Sequence, residues 1–70
     1  ILKETFTISG ENWFERGTEM LVRVRHRAPL IPCTVHGNVV HLQNKAVCSP
    51  GQAAVFYNLE HKVMGGGWIC

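Results

Sequence analysis

The stretch "VRVRHR", Val22 to Arg27, carries three arginines at every second position. In an extended chain side chains alternate between two faces. Arg23, Arg25 and Arg27 then share one face, each about 6–7 Å from the next, and Val22 and Val24 take the other. Like charges set side by side need neighbouring acids or an external anion. The planar guanidinium fork suits phosphate, so the chemistry on offer is anion recognition. The charge distribution points the same way. Glu4, Glu11, Glu15 and Glu19 against Lys3 and Arg16 leave a balance of −2 in the first nineteen residues. From Met20 to Leu59 there is no acid, and Arg23, Arg25, Arg27 and Lys45 supply +4 beside His26, His36 and His41. Charge segregated in this way suits an anionic partner. An ion-pair network, with the early glutamates folded over the arginines, accounts for it equally well.

Other chemistry finds little support. The chain has no aspartate, and its five glutamates are scattered. Ser9 and Ser49 flank turn-like stretches without a nucleophile-elbow pattern. Cys33 and His36 suggest a nucleophile and base, and with His41 a zinc set. Strand alternation, however, sends Cys33 to the face opposite both histidines. Gly65-Gly66-Gly67 lacks the following Lys-Ser/Thr or helix start of a phosphate loop and reads as a bend. Three cysteines, Cys33, Cys48 and Cys70, without a CxxC pair are packing thiols of a reducing compartment rather than a disulfide framework.

The elements that must position the arginines are strands. Lys3–Ile8 alternates with Phe6 and Ile8 on one face, and "SGEN" breaks the pattern. Trp13-Phe14 reads as an apolar plug. Met20–Arg27 is the second strand, ended by Ala28-Pro29. In "IPCTVHGNVVHLQN", Gly37-Asn38 closes a hairpin that sets Val35 opposite Val40 and Cys33 opposite Leu42, leaving Thr34, His36, Val39 and His41 outside. Pro50-Gly51 suits a type II turn. Gln52–Tyr57 is a continuous apolar strand, expected to be buried on both sides or at a barrel centre. The last strand starts at Lys62–Met64 and runs through the glycines to Trp68-Ile69, with Trp13 and Trp68 expected to be buried.

Seventy residues allow one domain with a marginal core. Six short one-sided strands are best satisfied by an all-β, closed or nearly closed small antiparallel barrel, which leaves no exposed edges. Mean hydropathy is +0.02. No apolar run approaches the roughly 18–20 residues of a membrane span, and no basic start precedes an apolar block. A chain opening on Ile1 reads as a piece of something longer.

Taken together, "VRVRHRAPLIPCTV", "SPGQAAVFYN" and "VMGGGWI", with Asn12-Trp13 ahead of them, resemble the C-terminal domain of tRNA-specific 2-thiouridylases from about Asn12 to Ile69. The family pattern has a basic strand, a "PGQ-AVFY" strand and a closing "GGG". His26 stands where the family usually has Tyr, and Met64 where it usually has Leu. The resemblance implies a six-stranded β-barrel similar to the second domain of elongation factors, at the C-terminal end of a multidomain enzyme. That enzyme thiolates the wobble uridine of tRNA at C2, with ATP and a persulfide sulfur donor, in an N-terminal catalytic domain. Neither that domain's "SGGxDS" loop nor the contexts of its cysteine pair occur here, so no catalytic residue and no cofactor are expected in this chain.

The expected role is to hold tRNA, with phosphate contacts from Arg23, Arg25 and Arg27, flanked by Lys45 and by His36 or His41. Expected partners are tRNA, the enzyme's own catalytic domain and a sulfur-relay protein. No membrane is expected, and the expected location is cytoplasmic, or mitochondrial in a eukaryote. The rival expectation is a structural barrel docked on the catalytic domain without touching RNA. A peptide-binding barrel is disfavoured because no acidic, aromatic groove is legible.

Overall fold

A computed structural model of the protein describes residues 2–70. Six strands form: β1 (Leu2–Trp13), β2 (Glu19–Arg23), β3 (Ile31–His36), β4 (Val39–Val47), β5 (Ala53–Tyr57) and β6 (Val63–Ile69). Every pairing is antiparallel, and the strands close in the order β1-β4-β3-β2-β5-β6. The barrel expected from alternation and turn chemistry is the observed fold.

The β3–β4 hairpin has the register that its cross-strand pairs demand. Cys33 faces Leu42 and Val35 faces Val40, and all four side chains are buried. Gly37 takes a φ of 63° while Asn38 keeps a negative one, the pattern of a II′ turn. The Ser49–Gln52 turn also follows its residues: Gly51 has a φ of 90°, and Gln52 N–H donates to the Ser49 carbonyl at 3.1 Å.

Four expectations change. The first strand does not stop at "SGEN". Gly10, at a φ of 59°, absorbs one extra residue as a bulge, and β1 continues to Trp13. Its first half pairs with β4 and its second half with β6, so one strand serves two neighbours. The second strand ends at Arg23 rather than Arg27. Val24 still points into the core, but Arg25 to Ala28 form a turn, with Ala28 N–H donating to the Arg25 carbonyl and Arg27 at a φ of 63°. β5 is buried on one side only: Ala54 and Phe56 are inside, while Val55 and Tyr57 are half-covered. The aromatic pairs divide as well. Trp13 packs on the core, 5.0 Å from the Phe56 ring, but Phe14 is 77% exposed and Trp68 55% exposed.

The glycine run is a thinning of the wall. β6 carries one extra residue against β5 between its pairings at Val63 and Gly65. A Cβ at Gly65 would lie 2.5 Å from the Asn12 carbonyl oxygen and 2.7 Å from Trp13 Cε3, so only glycine lets β1 and the indole come this close. Phe56, Ile8, Met20, Val22 and Val40 fill the centre. Cys33 and Cys48 are packed among them or beside them as the expected thiols, whereas Cys70 is exposed. Burial pushes the Cys33 thiol up to about 11. It also raises Cys48, against a partial offset from the Lys3 charge.

Candidate nucleic-acid interface

Val22 and Val24 point into the barrel, and Arg23 between them turns outward as alternation requires; Arg25 and Arg27 lie beyond the strand, so the three arginines do not share one strand face. Their three environments differ. Arg23 lies in β2 and is half-buried. Its Nε donates to the Ala28 carbonyl at 3.0 Å, one guanidinium nitrogen reaches the Tyr57 hydroxyl at 3.4 Å, and the group sits 5.4 Å from the Tyr57 ring centroid. Both hydrogen-bond acceptors are neutral oxygens. Arg23 therefore anchors the start of the β2–β3 connection to the β5 wall. Arg25 and Arg27 are exposed in the turn that Arg23 braces, with His26 exposed between them.

A non-glycine residue with positive φ costs on the order of 1 kcal/mol. Arg27 carries that strain at a turn position where glycine would sit freely. The left-handed backbone at Arg27 lies within the turn that carries the two exposed guanidinium groups of Arg25 and Arg27. Arg23, Arg25, His26 and Tyr57, with Ala53 and Val55 of β5, line a depression of about 290 Å³ on the barrel's outer side.

The remaining candidates fall elsewhere. Lys45 is exposed in the stretch Gln43–Lys45, where β4 bulges between its pairings with β1 at His41 and Ala46. β4 runs from the Gly37 turn towards the end of the barrel that bears the arginine turn, so Lys45 belongs to the arginine end. His36 and His41 are exposed on the outer face of the hairpin, with ring centroids 6.0 Å apart. His36 adjoins the Gly37 turn at the opposite end. Arg16 also serves that end, donating to the Gly37 carbonyl and stacking 5.2 Å from the Trp13 ring centroid. The arginine turn and Lys45 thus form one cationic end, and the histidine pair is a separate feature. Among the described residues no three His, Cys, Asp or Glu side chains gather as a metal site, and no helix is long and apolar enough to cross a membrane.

Sequence reasoning missed the wall beside the arginine turn. Across the outer face, Arg23 is opposite Val55, Val55 opposite Gly66, and Gly66 opposite Asn12. In the next row Ala53 is opposite Trp68. A second depression, about 240 Å³, follows this row between Trp68 and Phe14 and shares Ala53 and Val55 with the first. The legible signal was the alternation Gly66–Trp68, which puts the indole on the outward side of β6 once Ile69 is assigned to the core.

The model of the aminomethyltransferase beta-barrel domain family matches residues 3–69, nearly the whole chain. The chain belongs to that family. Three relatives bear the name tRNA-specific 2-thiouridylase MnmA. That of Rhodospirillum rubrum is 30% identical over 86 residues, covering 99% of this chain and 23% of its own length. That of Syntrophotalea carbinolica is 41% identical over 71 residues, covering 87% and 20%. That of Chlorobium phaeobacteroides is 33% identical over 76 residues, covering 93% and 21%. The chain thus spans about a fifth of the length of the curated relatives it matches. In this member of the beta-barrel domain family, the strand of the "PGQAAVFY" motif forms the wall against which Arg23 is braced, and the "GGG" strand is the seam with β1.

Proposed function

We propose that this barrel is the tRNA-holding, C-terminal domain of an enzyme that 2-thiolates the wobble uridine of tRNA. The reading is supported by relatives named for tRNA thiolation that align over nearly all of this chain. The observation that carries the contact surface is the exposed Arg25–Arg27 turn, held in place by Arg23. Two guanidinium groups on a braced turn meet phosphates without reading bases, so they position rather than specify. ATP, the persulfide donor and a sulfur-relay protein belong to the catalytic part of such an enzyme, outside these residues, and the location is cytoplasmic or, in a eukaryote, mitochondrial.

Of the six candidate contacts, Arg25 and Arg27 are primary, Lys45 extends the same cationic end, and Arg23 acts chiefly by bracing. His36 and His41 contribute only to an RNA long enough to reach the other end of the hairpin. Filter binding of tRNA at stepped salt tests this. Arg25→Ala with Arg27→Ala is expected to weaken binding across tRNA sequences and to lower the salt slope by about 2, roughly 0.9 per lost phosphate contact. Unchanged affinity and slope would remove the proposed role.

A second reading, docking on the catalytic domain without RNA contact, is favoured by one observation: Phe14 and Trp68 are large apolar side chains left exposed. It predicts that those two, and not the arginines, control how the barrel associates with the rest of the enzyme.

A further inference from the structure

Packing explains most of the thin wall on β6. A Cβ at Gly67 would lie 3.3 Å from the Ile8 and Glu11 side chains, and one at Gly66 would lie 2.9 Å from the Ala54 carbonyl oxygen. Packing does not explain Trp68. The indole points outward and stays 55% exposed, resting on Gly10, where a Cβ would come within 3.2 Å of its Cδ1. Its cross-strand neighbour is Ala53, whose small side chain leaves the space beside it open. Ala53 also lines the depression that holds Arg25 and His26. An exposed aromatic surface and the Arg25 guanidinium therefore border two adjoining depressions that share Ala53 and Val55 and together form one groove in the outer wall. The backbones of β6 and β2, two strand spacings apart, are separated by roughly 10 Å across it.

We propose that this groove binds one unstacked nucleotide of a looped or single-stranded RNA segment, its base stacked on Trp68 and its phosphate held by Arg25. The inference rests on the tRNA-holding role above and adds a base contact to it. Stacking on an aromatic side chain with a cation at the backbone is the chemistry by which β-sheet surfaces hold single strands, and it tolerates any base because every base has a π-face. An apolar protein segment would use the indole but would gain nothing from Arg25 and His26 at the other side of the same groove. The charge at that end favours the nucleotide.

The test uses this chain with a five-nucleotide uridine oligomer and the same oligomer made with abasic riboses, at low salt. The base-bearing oligomer is expected to bind at least about fivefold more tightly, the low end of what one stacked base contributes. Trp68→Ala is expected to remove that difference and leave the salt slope unchanged, while Trp68→Phe keeps most of it. Thermal melting of both variants checks that the barrel persists. Equal binding of the two oligomers to the wild-type chain, still weakened by Arg25→Ala, overturns the stacking site and leaves the phosphate role standing. Failure of both oligomers and of tRNA to bind overturns both. Protection of Trp68 from hydroxyl-radical oxidation in the longer enzyme without RNA overturns the stacking site in favour of a covering protein segment.

Discussion

The two sides of this barrel use the same sheet differently. On the β3–β4 side inward positions carry Cys33, Val35, Val40 and Leu42, outward ones carry Thr34, His36 and His41, and the connecting glycine has open space around it. On the β5–β6 side the wall shrinks to Ala53, Ala54 and three glycines, and the neighbouring β1 backbone and Trp13 ring press into the room left. On the first side the side chains set the register. On the second, their absence lets the seam close and leaves a smooth groove outside.

The sharpest way to break this contrast is to add one methyl to each side. Gly65→Ala places a Cβ within 2.5–2.7 Å of backbone and indole. It is expected to cost about 3 kcal/mol or prevent folding, because the Asn12 backbone must move. Gly37→Ala meets no atom within 4 Å and pays only for its φ of 63°, about 1 kcal/mol. Urea denaturation of both variants measures the difference, and equal costs would mean that the seam is not tight.

The next effect lies on the β3 side and depends on pH. Cys33 keeps its proton to about pH 11 in the folded chain, against 9.0 as an ordinary thiol. Above pH 9 the unfolded chain loses that proton first, so stability falls as pH rises from about 9 to 11. At the top of that window the loss approaches 2–3 kcal/mol. Cys33→Ala is expected to flatten this alkaline slope while lowering stability at neutral pH, as followed by melting temperature against pH. A slope that persists unchanged would place its origin elsewhere.

The smallest effect separates function from stability. Arg27 and His61 are the two non-glycine residues at positive φ among those described. Either one replaced by glycine is expected to gain up to about 1 kcal/mol. Only Arg27→Gly should weaken tRNA binding. Loss of binding in both variants would detach the effect from the cationic turn.

The sequence made the β3–β4 hairpin legible because two independent constraints, a two-residue turn and a shared apolar face, gave one register. The barrel followed from six such one-sided segments. Gly10 and the Arg25–Ala28 turn escaped for a common reason: each departs from a local pattern under a tertiary demand. "SGEN" looks like a break but is a bulge, because β6 supplies partners for β1 beyond it. "VRVRHR" looks like a strand throughout. It turns after Val24, where β2 has already passed its last pairings with β3 and β5, at Val22 and Arg23. Of the candidate contacts, alternation turned Arg23 outward but could not show that it would be engaged by Ala28 and Tyr57, nor that Arg25 and Arg27 would be exposed on a turn instead of sharing its strand face. Trp68 was misjudged because aromatic residues in small chains usually serve the core.

The seam between β1 and β6 also bears on how the chain is made. Ile8 meets Ile69, so the ring cannot close on the ribosome until residues 63–69 have emerged. Until then β1 and β5 offer unpaired edges to any neighbouring chain. Synthesis stalled within the loop before Val63 would release an open sheet prone to join its own kind, so residues 63–69 govern whether the five strands made before them stay apart.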